Sequence, residues 1–235
     1  LSWLNRSKSG RDWLSCLPQT LESARIRFGL DDIGAPFDGG NVSYVCPAHR
    51  NGCEVVLKLQ FADRESRFEG DALALWNGDG AIKLLDRAPD IGALLLERCR
   101  PGLFLADDEK ADQIGILAGL LRKLLIPATE PFGTLTAEAA HWIAGMKSGW
   151  EGAGRPCEIR LVDAAIDALT ELSADRTAEV LLHQDLHGHN VLSAERAAWL
   201  AIDPKPLVGD PAFALSPIVR SFEFGHSKTQ TLYRL

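Results

Sequence analysis

The chain has 235 residues, 46% of them hydrophobic and 24% charged, an ordinary globular composition with material for one large domain or two lobes. Its net charge of -7 argues against generic electrostatic binding of nucleic acid, which needs clustered Lys and Arg, and leans towards a cationic small molecule. Five scattered cysteines without a C-x-x-C pair argue for a reducing compartment and against a disulfide frame or zinc knuckle. No stretch has the ~20 apolar residues of a membrane span. The opening LSWLNRSKSG has no apolar signal core and no initiator Met, so the expectation is a cytoplasmic chain, whole or a piece of a longer product, without a membrane partner.

In chain order, residues 19–28 (QTLESARIRF) predict a helix that Gly29 stops. NVSYVCPA and EVVLKLQF are β-rich runs around Asn51-Gly52, a hairpin signal because both residues tolerate positive φ. Cys46 and Cys53 could face each other across that hairpin. Residues 64–77 carry an apolar stripe of Phe68, Ala72, Leu75 and Trp76 at helical spacing. GAIKLLDRA and IGALLLERC predict two more strands, with a turn at Ala88-Pro89-Asp90. After Gly102 the pattern turns helical: residues 108–125, with Asp107 or Asp108 as N-cap, then 136–150 and 157–173. Strands first and helices afterwards imply an α+β fold of two lobes, residues 1–97 and 98–235, joined near 97–102.

LLHQDLHGHNVL, residues 181–192, packs His183, Asp185, His187 and His189 at alternate positions. On an extended strand they would share one side, as in a zinc or iron site. That reading leaves Lys58, Asn190 and Asp203 without a role. The alternative is the D-x-x-x-x-N spacing of Asp185 and Asn190, that of a phosphotransfer loop. There a carboxylate orients the attacking hydroxyl, and a neutral amide holds Mg²⁺ without adding charge beside the nucleotide. Asp203 ends an apolar run, AWLAID, and supplies a second hard oxygen. The segment between Asn190 and Asp203 reads as strand, turn, strand, with the two ligands at its two ends. Lys58, flanked by apolar residues, is either snorkelling at a sheet edge or paired. Glu65 and Glu69, one helical turn apart, are its candidate partners or solvated surface acids.

Taken in order, VVLKL, EGDALALWNGDGAIKLLD, LLLERCRPG, LLHQDLHGHNVL and AIDPKPLVGDPAF resemble the aminoglycoside/hydroxyurea antibiotic-resistance kinases, the streptomycin 6-kinase-like branch of the aminoglycoside phosphotransferases. The resemblance covers residues 12–220 or so. It implies a protein-kinase-like fold with a β-rich nucleotide lobe and a larger helical lobe. It also implies ATP and Mg²⁺ as cofactors and transfer to a hydroxyl of streptomycin or a related aminoglycoside. Hydroxyurea or another small hydroxylated metabolite is the alternative acceptor, and a non-catalytic nucleotide-binding module the alternative function. By resemblance, Lys58 contacts the ATP phosphates and Glu69 is its partner, with Glu65 the second candidate. Glu97 and Cys99 form the hinge that reads adenine, Asp185 is the base, and Asn190 and Asp203 hold Mg²⁺. DGGNVSYV, residues 38–45, would cover the phosphates in place of a G-x-G-x-x-G loop. Two departures stand out: Ala214 replaces the acid expected after GDPAF, and SFEFGHSKTQTLYRL, residues 221–235, shows no family pattern. If C-terminal helices are missing, apolar faces such as those of Ile218, Val219 and helical Leu residues would be exposed, giving self-association or weak acceptor binding. The oligomeric state stays open.

Overall fold

The computed structural model describes residues 2–38, 42–61, 64–174 and 179–220; the tail from 221 and part of the expected phosphate-covering turn lie outside the described residues. The chain opens with helix α1 (Lys8–Phe28), capped by Ser7, which accepts a hydrogen bond from the Gly10 amide, and ended by Gly29 at φ 61°. The sequence pattern starts this helix only at about residue 19, just after Pro18. The helix nevertheless runs through Pro18. Removing one backbone donor in a helix interior costs ~3 kcal/mol, and packing on both sides of the proline offsets it: Trp13 and Leu17 before it and Leu21, Ala24 and Phe28 after it all join one apolar cluster.

Five strands follow: β1 (Asp32–Ile33), β2 (Ser43–Arg50), β3 (Cys53–Gln60), β4 (Leu84–Ala88) and β5 (Ala93–Glu97), in the order β1-β2-β3-β5-β4. Asn51 and Gly52 both sit at positive φ, 54° and 74°, as the hairpin signal requires. This two-residue turn sets the register, pairing Cys53 with Arg50 and Cys46 with Leu57. The two cysteines therefore do not face each other; Cys46 is buried and Cys53 exposed. Strand β3 is central and buried on both faces. Val55, Leu57 and Leu59 meet α1 in one cluster, while Val56 joins the cluster on the opposite face. Period-2 alternation then places Lys58 on the side of Val56.

Between β3 and β4 lies α2 (Glu69–Trp76), shorter than its apolar stripe suggests. Residues 64–68 form turns instead, so Glu65 and Glu69 do not share a helix. Beyond β5 come α3 (Gln113–Leu124), β6 (Gly133–Thr134), α4 (Leu135–Gly152) and α5 (Ile159–Ala174). The N-cap of α3 is Asp112, whose carboxylate accepts from the Gly115 amide, rather than Asp107 or Asp108, which lie in and beside a preceding short 3₁₀ turn. The chain then forms β7 (Val180–Leu182), β8 (Val191–Ser193), β9 (Trp199–Ala201), β10 (Leu207–Gly209) and α6 (Ser216–Arg220). β6, β10 and β7 make one small sheet, and β8 and β9 a hairpin. The larger apolar cluster joins Val56, Leu73, Trp76 and Leu96 to Leu117, Leu121, Leu181, Leu186 and Leu200. Trp76 crosses this core to donate its indole N–H to the Leu124 carbonyl at 2.8 Å.

Ile218, expected to be exposed, is fully buried in that same core, beside the equally buried Ala214. α6 turns its apolar side inward and needs no further element to cover Ile218. Val219 is half-buried. Leu161 and Leu172 on α5 are exposed, as expected of uncovered helical leucines. Among the described residues no helix is long and apolar enough to cross a membrane.

Candidate active site

The site begins with Lys58, an ammonium placed by β3 under the sheet with only 5% of its side chain exposed. Such a charge needs paired acceptors. Nζ donates to both carboxylate oxygens of Glu69 at 2.7 Å and to Oδ1 of Asp203 at 2.7 Å. Of the two candidate acids, Glu69 is thus the partner. Gln60, two residues along the same face of β3, donates Nε2 to the Glu69 carboxylate at 2.7 Å. Burial works against the Lys58 ammonium, but the charges of Asp203 and Glu69 outweigh it and hold the group above its usual range. Burial pushes the Glu69 carboxyl up to about 7 although Lys58 pulls the other way. The Lys58 charge, stronger than burial here, holds Asp203 below the usual carboxylate range.

Asp203 reaches Lys58 through the β8–β9 hairpin. The Ile202 amide donates to the Asn190 carbonyl at 2.9 Å, and Val191 pairs with Ala201. Asn190 and Asp203 therefore stand on the two feet of one hairpin, side by side at its open end. Asp203 holds φ 54°, a left-handed backbone that Asp tolerates better than most residues, and more than half of its side chain is exposed. The Asn190 Nδ2 donates to the Asp185 carbonyl at 2.8 Å and lies 3.3 Å from the His187 ring, which leaves its amide oxygen out of those contacts. One carboxylate and one amide oxygen on adjacent backbone feet make a hard donor set that fits Mg²⁺.

The extended arrangement imagined for His183, Asp185, His187 and His189 does not form. Strand β7 ends at Leu182 and Gln184 takes φ 62°, so His183 turns into the core while Asp185 and His187 stay 3.8 Å apart beyond the turn. His183 is buried; its Nε2 lies 2.9 Å from the Ile202 carbonyl, and its Nδ1 faces the Asp185 amide at 3.4 Å. A carbonyl only accepts and an amide only donates, so the ring is the neutral tautomer protonated at Nε2. Burial pushes its pKa down to about 4. The ring stacks on Trp76 at 6.1 Å and splints the loop. His189 packs against Phe104 and, edge to face, against the His187 ring. Among the described residues no group of three His, Cys, Asp or Glu comes together as a metal site.

Asp185 faces a cavity of about 290 Å³, lined also by Glu65, Gln184, Lys205, Trp142, Phe213, Ser216 and Arg220. Trp142 and Phe213 stack there at 6.0 Å. Lys205 Nζ lies 3.3 Å from Asp185 Oδ2 and 3.1 Å from Glu65 Oε2. Glu97, at the end of β5, accepts from the Lys83 amide and is clamped by Arg196 at 2.8 and 3.0 Å. Arg196 also donates to the carbonyls of Gly78 and Ala81. Neighbouring Cys99 is buried in the core. Sequence reasoning missed Gln60, Lys205 and Arg196. Only Lys205 carried a signal, as a single cation locked between two prolines just after Asp203.

A family model described as aminoglycoside/hydroxyurea antibiotic resistance kinase matches residues 29–229. The streptomycin 6-kinase of Streptomyces glaucescens is 37% identical over 217 residues, covering 91% of this chain and 70% of the relative. The hydroxyurea phosphotransferase of Kitasatospora aureofaciens is 39% identical over 226 residues, covering 92% of this chain but 65% of the relative. The chain thus spans about two thirds of the length of these relatives. Among solved structures, choline kinase LicA from Streptococcus pneumoniae aligns with a TM-score of 0.65 at 14% identity over 92% of this chain and 80% of that one. A thermostable aminoglycoside phosphotransferase APH(4)-Ia, in a ternary complex with ADP and hygromycin B, aligns at 0.62 and 15% identity over 90% and 80%. At such identities these likenesses show the fold, the two-lobed protein-kinase-like one. The chain belongs to the aminoglycoside/hydroxyurea antibiotic resistance kinase family.

Proposed function

We propose that the chain is an ATP-dependent O-phosphotransferase acting on a small hydroxylated cation, with streptomycin or a related aminoglycoside the first candidate acceptor. The observation that carries this reading is the convergence of three distant segments: Lys58 and Glu69 beneath the sheet, Asp203 joined to them, and Asp185 a short loop away at the wall of a cavity. Residues up to Glu97 form the nucleotide lobe in this reading and the rest the catalytic lobe. Lys58 binds the ATP phosphates while Glu69 fixes its rotamer. Backbone groups near Glu97 and Cys99 read the adenine edge, with Arg196 bracing that hinge from below. Asn190 and Asp203 hold Mg²⁺, which when bound neutralises phosphate charge. Asp185 orients the acceptor hydroxyl and receives its proton. Most of the rate comes from positioning and preorganised charge rather than covalent chemistry with the protein.

The acceptor class is drawn from the streptomycin 6-kinase relative. The cavity wall is mixed, with Glu65 and Asp185 beside Lys205 and Arg220, and the ring faces of Trp142 and Phe213 offer contact to guanidinium or ammonium groups. Hydroxyurea phosphotransferase is the name of one relative, so hydroxyurea is the alternative acceptor. The test is to incubate the protein with ATP, Mg²⁺ and a panel of aminoglycosides, hydroxyurea and hydroxylated amines, then weigh the products. A cationic acceptor should gain the mass of one phosphoryl group. Mass gain confined to hydroxyurea would move the acceptor class, and none at all would count against transfer.

A further inference from the structure

Resting on the reading of Asp185 as the base, we propose that Lys205 is its positioning residue, holding the Asp185 carboxylate in the cavity wall and tying it to Glu65 of the other lobe. Three observations carry this. Pro204 and Pro206 flank Lys205 and restrict its backbone, and its amide donates to the His183 carbonyl at 2.9 Å, so the residue is registered against the loop that bears the base. Its Nζ reaches Asp185 Oδ2 at 3.3 Å and Glu65 Oε2 at 3.1 Å from within the cavity lining. The other Asp185 oxygen lies 3.8 Å from the His187 ring, beyond hydrogen-bond range, so Lys205 makes the closer of the carboxylate's two ion-pair contacts among the described residues. Among the described residues Lys205 is thus the nearest cation to the base, and it fixes the carboxylate's rotamer. An ordinary surface ion pair would be worth little. This one is set where a misplacement of about 1 Å can cost ~10²-fold in rate.

The experiment compares the parent, Lys205→Met, Lys205→Arg and Glu65→Gln for transfer to the acceptor identified by product mass. For Lys205→Met, kcat should fall roughly 10- to 100-fold with the KM for ATP within about twofold of the parent. Arginine should restore most of the loss. Glu65→Gln removes only the arm that crosses between lobes, so its effect should fall mainly on the acceptor KM. An unchanged kcat in Lys205→Met, or an equal kcat loss in Glu65→Gln, would overturn the inference, the latter by making Lys205 a lobe bridge. A parent inactive on every acceptor would instead sink the underlying reading of the site, and with it the catalytic role given to Lys205. Thermal unfolding of Lys205→Met, Asp185→Asn and the double variant needs no acceptor. Shifts that fail to add by about 2 °C support the contact, and additive shifts overturn it.

Discussion

Lys58 sits in a balance that a single substitution would upset. Replacing it with Met leaves the buried Glu69 carboxylate, 2% exposed, without its cation, and orphaning one partner of a buried pair costs about 3–5 kcal/mol. Chemical denaturation should show a loss of that order, and calorimetry a loss of ATP affinity. Asp203→Ala should abolish the rise in ATP affinity that Mg²⁺ gives the parent, with calorimetry in Mg²⁺ and in chelator as the check. His183 makes stability depend on pH. Its folded pKa of about 4 lies below the usual 6.5, so it contributes stability that is present above 6.5 and lost as pH falls through 4. The full contribution is about 3 kcal/mol for a buried group. Glu69 runs the other way: raised to about 7 from 4.5, its contribution is present below 4.5 and lost as pH rises through 7. The two contributions nearly cancel between pH 6.5 and 4.5, so the parent's denaturation midpoint should change little there, whereas His183→Gln, which leaves Glu69 alone, should show midpoints that rise as pH falls through that window. Lys58, Asp185, Asn190 and Asp203 could be singled out because the phosphotransfer pattern that the chain resembles has fixed residue types in fixed order, and the structure brings Lys58 to Asp203 with Asn190 on the adjacent strand end. Lys205 and Arg196 could not. Arg196 finds Glu97 99 residues away, and a lone cation in sequence does not name a distant partner.

At the scale of elements, local chemistry explains which expectations held. Asn51-Gly52 fixed a hairpin by backbone geometry alone, and Gly29 ended α1 for the same reason. The boundaries that shifted were decided by tertiary packing. α1 passes through Pro18 because the sheet holds both of its halves. α2 begins late because the turns before it send Glu65 to Lys205. The loop carrying Asp185 abandons the extended form because Gln184 turns it and His183 plugs into the core. Gly188 lets that loop lie against Ala106: an added Cβ would meet Ala106 Cα and N at 3.0 Å. Backbone cannot yield as a flexible side chain can. Gly188→Ala should therefore destabilise the protein by about 1–3 kcal/mol and lower kcat by shifting Asp185 and Asn190, measured by thermal unfolding and steady-state transfer.

For the whole molecule, β3 divides two apolar clusters, and the larger runs unbroken from the sheet into the helices and the catalytic loop. The Lys58 ion cluster lies on that side of the sheet, so Lys58 and the loop carrying Asp185 are braced by one packed core. The order of elements made the α+β class legible, whereas the closeness of Lys58 to Asp203, 145 residues apart, exists only once the lobes pack. The central claim is that this arrangement transfers phosphate through Asp185. Its most direct test is turnover and Mg-ATP affinity measured side by side for the parent and Asp185→Asn, an isostere that keeps the loop and removes the base. In Asp185→Asn turnover should fall by about 10³-fold or more with affinity for Mg-ATP unchanged. Equal turnover in the two proteins would contradict it.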